Sequence, residues 1–321
     1  MKALFLCRVA VAFLLGSGVS AQAQGVIRFG HFPNVTHVQA LVAHHLSRKG
    51  QGWFEERLGP GVKIEWYVYN AGPSAMEAVF AHSIDVTYVG PSPAINAFAK
   101  SNGEEVRIVA GAANGGAALV IQPDSAIKTG ADFRGKRIAT PQLGNTQDVA
   151  CRAWLGAQGL RITQLGGDAQ VLPTPNPDQL ALFTQKKIDA VWTVEPWVSR
   201  LERDAGARVF LEEKDAVTTV LVSSVQFQKE HGEQLRKLVL AHKELTGWIQ
   251  AHPAEAQAMV VEELAAETQS KIAPDLIAAA WKRIELTDAV SLESLSTYVS
   301  NAQKAGFLRK VPDLRQLIQI P

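Results

Sequence analysis

The segment ATPQLGNTQDVACRAWL, residues 139 to 155, places Asn145, Thr146, Gln147 and Asp148 directly after Gly144, at what reads as the start of a helix. Neutral amide and hydroxyl groups beside the free N–H groups of a helix N-terminus can cradle an anion. The same residues also suit an unliganded helix, with Asn145 as N-cap and Asp148 returning a bond as in a capping box. Gly144, Asn145, Thr146 and Gln147 are therefore candidate ligand contacts. Asp148 either caps the helix or faces the ligand, and a carboxylate facing the ligand favours one that carries an amine as well. A Walker-type phosphate loop is excluded, because no Gly-Lys-Ser/Thr follows.

Other turns carry similar chemistry. In GHFPNVTHV, Asn34 or Thr36 can cap the next helix, and Asn34, Thr36 and His37 are candidate contacts. In VGPSPAINAF, Gly90 permits close approach, Pro93 suits a first helical turn, and Ser92 can cap or donate to an anion, so Gly90, Pro91 and Ser92 are included. The ANGG stretch, with Asn114 and Gly115, is either a hinge or backbone approaching ligand. In VWTVEPW, Glu195 could hold a ligand amine or neutralise a cation. Trp192 and Trp197 form either an apolar wall or part of the core.

His31, His37, His44 and His45 lack metal-ligand spacing and have no Cys or acidic neighbour in sequence, so no metal is expected, nor any other cofactor. No G-x-S-x-G elbow or H-E-x-x-H motif exists, and Cys151 reads as a buried apolar residue, so no catalytic set emerges.

These turns need a scaffold. Strand patterns at VIRFG, VKIEWYVY, DVTYVG, VRIVAGAA, AALVI, KRIAT, AQVLP and DAVWTV alternate with helical ones, which predicts α/β architecture with parallel sheets covered on both faces. AVTTVLVSS reads as a further strand. From Gly232 onward the pattern is amphipathic helix; Leu235, Leu238, Val239, His242 and Leu245 share a stripe, which makes His242 a packing residue. One echo stands out. PSAMEAVFAHSIDVTYVGPSP from Pro73 aligns without gaps on PDQLALFTQKKIDAVWTVEPW from Pro177, matching Ile84 to Ile188, Asp85 to Asp189 and Tyr88 to Trp192. Two α/β lobes, each ending a strand in a proline-stiffened loop, would put two lips on one cleft.

The N-terminus, MKALFLCRVAVAFLLGSGVSAQAQ, has a basic start, a short apolar run and Ala21-Gln22-Ala23, which predicts a cleavable secretory signal over residues 1–23 and a periplasmic mature chain. Of 32 Lys and Arg against 31 Asp and Glu, Lys2 and Arg8 fall in that leader. The near-neutral remainder offers no field for nucleic acid. One cysteine, Cys151, remains, so no disulfide framework supports the fold.

The stretches NAGPSAMEAVFAHSIDVTYVGPSPAINAF, ATPQLGNTQDVACRAWL and IDAVWTVEPWVSRL resemble the substrate-binding proteins of ABC importers for aliphatic sulfonates, taurine and nitrate. The resemblance implies a type II periplasmic-binding-protein fold: two α/β lobes around a cleft, joined by two hinge crossings, with a helical C-terminal part. Lobe one would cover 24–112, lobe two 113–222, and 223–321 would return to lobe one. It further implies a monomer that binds a small anion, most simply an aliphatic sulfonate or taurine, with nitrate as the alternative, and hands it to an inner-membrane permease. Rivals from other classes are an extracellular sensor module and a thiamine-pyrimidine-synthase-like enzyme; the cysteine-rich motif of the latter is absent here.

Overall fold

A computed structural model describes residues 25–163 and 166–321. The expected signal peptide, residues 1–23, lies outside them. The chain opens with β1 (Val26–His31), a 3-10 turn (Val35–His37), α1 (Val38–Arg48), α2 (Trp53–Leu58), β2 (Lys63–Val68), α3 (Gly72–Phe80), β3 (Val86–Val89), α4 (Pro91–Lys100) and β4 (Val106–Gly115). A second unit follows: β5 (Ala117–Ile121), β6 (Arg137–Thr140), α5 (Thr146–Ala157), the short pair β7 (Ile162–Thr163) and β8 (Gly166–Gly167), β9 (Gln170–Pro173), α6 (Asn176–Thr184), β10 (Ala190–Val194), α7 (Trp197–Ala205) and β11 (Arg208–Glu213). The chain then returns through β12 (Val217–Ser224), α8 (Val225–Glu230), α9 (Gly232–Ala251), α10 (Pro253–Thr268), α11 (Pro274–Trp281), β13 (Ile284–Leu286), α12 (Leu292–Lys304) and α13 (Leu314–Leu317).

Among the described residues, one sheet runs β13-β4-β12-β3-β1-β2 and a second runs β11-β5-β10-β6-β9. The sheets are mixed rather than purely parallel. β1 is parallel to β2 and β3, and β6 to β9 and β10, as strand-helix-strand alternation requires. β12 runs antiparallel to β3 and β4, and β5 runs antiparallel to β10 and β11. These antiparallel strands sit beside the crossings, where the chain enters a sheet from the other lobe. The outward crossing lies at Gly115–Gly116, between β4 and β5, slightly beyond the expected boundary at 112/113. The return corrects the expectation more clearly: β12 belongs to the first sheet, so the crossing falls at 214–216 and not after Val222.

The internal echo is a structural repeat. In lobe one the Asp85 carboxylate accepts from the Arg28 backbone N–H at 2.8 Å and Nε at 3.0 Å, while the guanidinium also reaches the His82 carbonyl. In lobe two Asp189 accepts from the Arg137 N–H at 2.8 Å and Nε at 3.1 Å, and Arg137 reaches the Lys186 carbonyl at 2.9 Å. His82 and Lys186 both adopt positive φ, 52° and 54°. Each carboxylate thus joins the start of one parallel strand to the tight turn before its neighbour. This fixes register where side-chain packing alone would leave the strand ends free.

In lobe one, Phe29 stacks between Trp66 and Tyr88 at centroid separations of 4.9 and 5.3 Å. The predicted stripe of α9 closes this core, and His242 is satisfied there: Tyr88 Oη lies 2.8 Å from Nδ1, and Nε2 lies 2.8 Å from the Gly111 carbonyl. Among the described residues no helix is long and apolar enough to cross a membrane.

Candidate functional site

A small cavity lies between the lobes. Its lining shows how the repeat is used. Gly72 and Asn176, the first residues of α3 and α6, occupy echoed positions, and both line it. So do Gly90, which caps α4, and Val194, its echo at the end of β10. Asn145 and Thr146 bring the start of α5, and Asn34, Thr36 and His37 bring the 3-10 turn. Helix starts from both lobes therefore converge on one small volume, bringing the positive ends of their dipoles to it.

Among the described residues, no Lys, Arg, Asp or Glu lines this cavity. Its one titratable side chain, His37, is fully buried. Burial pushes it well below the ordinary histidine range, and His31 adds a smaller push, so it is neutral. The Phe32 N–H lies 3.4 Å from Nδ1, which assigns the ring proton to Nε2 and leaves that atom as a donor. The remaining polar lining is Asn70, Gln147, Thr218 and the residues named above.

The opening motif is built from beneath. The Asn145 side chain accepts from the Asp148 N–H at 2.9 Å, an N-cap, and its Nδ2 donates to Gln147 Oε1 at 3.0 Å. Asp148 does not face the cavity. Its carboxylate accepts from Thr140 Oγ1 at 2.9 Å, from the Gly144 N–H at 3.0 Å and from Arg152 Nε at 2.9 Å, all within the lobe. It fixes the loop below the pocket and leaves no carboxylate for a ligand amine. The reciprocal capping-box bond goes to Gly144 and not to Asn145.

Several other expectations are corrected. Glu195 is buried but does not line the cavity: it caps α7 through the Ser199 N–H at 3.1 Å and pairs with Arg283 at 3.0 Å. Burial raises its pKa against those bonds. Trp192 packs in the core of lobe two, with Nε1 3.2 Å from Glu213, so it forms no wall. Its echo partner Tyr88 is likewise an interior aromatic with one polar handle. Trp197 instead spans the lobes, donating to Asn34 Oδ1 at 2.8 Å. Asn114 and Gly115 serve the crossing; a Cβ on Gly115 would meet the Arg283 and Lys214 carbonyls at 2.5 and 2.7 Å. Pro91 and Ser92 lie outside the lining, although the Ser92 N–H reaches Thr146 Oγ1 at 3.4 Å across the cleft, and Gly144 lines an adjoining groove rather than the cavity itself. Cys151 is buried, and desolvation raises its thiol pKa well above the ordinary value, as an inert core residue requires.

Sequence reasoning missed Phe32, Asn70, Ala71, Gly72, Pro93, Pro141, Asn176, Val194 and Thr218. The echo held the signal for one of them, since it pairs Val194 with the candidate Gly90.

The lobes stand closed. The Val35 N–H donates to the Glu195 carbonyl at 2.9 Å, Asn70 Nδ2 to the Pro141 carbonyl at 3.2 Å, and Gln142 Nε2 to Ser74 Oγ at 2.9 Å. Gly90 admits the contact, because a Cβ there would stand 2.3 Å from Thr146 Oγ1. Two lobes of the type II periplasmic-binding-protein fold, closed on a neutral polar chamber, define a solute-binding protein architecture. A family model for the NMT1-like family matches residues 20–265, and the chain belongs to that family.

Among curated relatives, the chain is 31% identical over 163 residues to a putative aliphatic sulfonates-binding protein of Escherichia coli (strain K12), a match covering 50% of this chain and 49% of that one. The chain thus aligns with about half the length of that relative. It is 26% identical over 270 residues to the putative aliphatic sulfonates-binding protein of Bacillus subtilis (strain 168), covering 80% and 76%. The alkanesulfonate-binding protein SsuA from Xanthomonas axonopodis pv. citri, solved bound to MOPS, superimposes with a TM-score of 0.75 at 21% identity, over 94% of this chain and all of that one.

Proposed function

We propose that this chain is the solute-binding component of an ABC importer and that its ligand is an organic sulfonate. The observation that carries this is the cavity lining: converging helix N-termini and neutral donors, with no charged side chain. Such a site supplies positive potential without burying a cation whose desolvation would oppose binding. Proposed contacts to the oxyanion head come from Asn34, Thr36, His37, Asn145, Thr146, Gln147 and Asn176.

A second feature favours a ligand with an organic tail over nitrate. A groove with apolar walls from Pro73, Met76, Phe80, Leu143 and Phe307, and with Glu77, Asn96 and Lys100 also in its lining, adjoins the cavity, with Pro93 lining both. Asp148 and Glu195 both turn away from the cavity, so Glu77 in the groove is the carboxylate that a taurine amine could meet. Names of the relatives above support the same ligand class. The secretory leader read over residues 1–23 supports a periplasmic location, where a monomer would present its exposed rims to the permease.

Differential scanning fluorimetry against alkanesulfonates, taurine, sulfate, nitrate and phosphonates tests the proposal. Alkanesulfonates should raise Tm by several degrees at 100-fold excess over Kd, because a ligand that binds only the folded state adds about 2.7 kcal/mol there. A folded sample that no anion stabilises would overturn it; stabilisation by nitrate alone would overturn the role given to the groove.

A further inference from the structure

His31, His44 and Glu267 come from the end of β1, from α1 and from α10, and the fold gathers them although 223 residues separate His44 from Glu267. His31 Nε2 lies 3.0 Å from Glu267 Oε1, His44 Nδ1 lies 3.0 Å from the same oxygen, and the two nitrogens are 3.2 Å apart. The His31 and Glu267 side chains are wholly buried and His44 is nearly so. If both imidazoles donate to Glu267, two N–H groups confront each other at 3.2 Å. Glu267 Oε2, also buried, has no partner.

We propose that His31 Nε2, His44 Nδ1 and Glu267 form a binding site for a divalent transition-metal ion of the zinc class. Zinc bound at about 2.0–2.1 Å by tetrahedrally arranged donors sets neighbouring donors about 3.3 Å apart, and this triangle is within about 0.3 Å of that on every edge. Two imidazoles and one carboxylate are a borderline donor set that suits Zn²⁺ over Mg²⁺ or Ca²⁺. The free Oε2 allows a bidentate carboxylate. Glu263, 2.9 Å from His44 Nδ1 and held by Arg48 Nε at 2.9 Å, stands beside the three as a neighbouring acceptor. These histidines have no acidic neighbour in sequence because the carboxylate arrives from α10. Enclosure makes the site a structural clasp: the ion would tie α10 to the strand end and helix that flank the cleft loop Phe32–His37. The clasp stands independently of the ligand proposed for the cleft.

Chelator-treated mature protein titrated with Zn²⁺, read by calorimetry and by thermal shift, should take up one ion per chain and gain Tm. Glu267→Gln and His44→Asn should each lose that uptake by at least 100-fold, while the exposed-site control His252→Asn should retain it. Uptake unchanged in Glu267→Gln would show adventitious binding by surface histidines and overturn the proposal. If either core variant fails to fold, Co²⁺ loaded into the unaltered chain decides. Intense d–d absorption of a low-symmetry, near-tetrahedral centre is expected, and the weak spectrum of octahedral Co²⁺ would overturn the proposal.

Discussion

Two buried histidine regions lie within residues 31 to 44 and use imidazole in opposite ways. In the cleft, His37 is kept neutral by burial and joins a lining without formal charge. In the β1–α1–α10 cluster, charge is concentrated: His31 and His44 hold the Glu267 carboxyl well below its ordinary range against its own burial, and Glu263 and Glu267 raise His44 against its burial. The difference separates recognition from support. A cleft proposed to take up and release an anion offers dipoles and neutral donors, which lose nothing large when the ligand leaves. A permanent support can hold ionised groups because their partners never depart.

Breaking the charged region should have the largest effect. Glu267→Ala in metal-free protein leaves two buried imidazoles without their carboxylate, and a loss of about 3–5 kcal/mol is expected from urea unfolding. A loss below about 1 kcal/mol would mean the cluster does not act as a unit.

Next comes acid, which probes neutral histidines. His242 is lowered to about 4 by burial, and His37 is also depressed. Their folded pKa values lie below the unfolded value of about 6.5, so below that pH the unfolded chain binds more protons. Their contribution is therefore complete above pH 6.5 and is lost as pH falls toward 4; His242 alone accounts for about 3 kcal/mol at the limit. Urea unfolding of the unaltered chain and of His242→Gln at pH 7 and pH 4.5 checks this, the variant showing the shallower dependence.

A charge placed in the neutral cleft comes third. Thr146→Asp should weaken sulfonate binding by about 30-fold or more, equivalent to about 2 kcal/mol of like-charge opposition. The smallest effect is expected from Asn176→Ala, which removes one neutral contact and should cost about tenfold. Calorimetry reads both, and an Asn176→Ala loss as large as that of Thr146→Asp would erase the distinction between adding a charge and removing a donor.

Much of this arrangement was legible in the sequence, and the exceptions have physical causes. The repeat could be read because Asp85 and Asp189 perform the same backbone-clamping task in each lobe, which demands the same residue at the same spacing. The Asn145–Gln147 loop could be read because capping and anion contact call for the same side chains. Trp192 and Glu195 misled, since an aromatic and an acid next to a strand end look the same in sequence whether they turn inward or toward the cleft. β12 misled because strand pattern carries no address: its eight buried residues would suit either sheet. The His31–His44–Glu267 gathering was invisible because it depends on where α10 docks.

The central claim is that a neutral chamber of helix N-termini closes on an anionic head. Isothermal titration of the mature protein with butanesulfonate at pH 6.5, 7.5 and 8.5 tests it most directly. One site per chain with a Kd constant across that range is predicted, because no lining group titrates there. Absence of binding by folded protein, or a Kd that changes tenfold across the series, would contradict it.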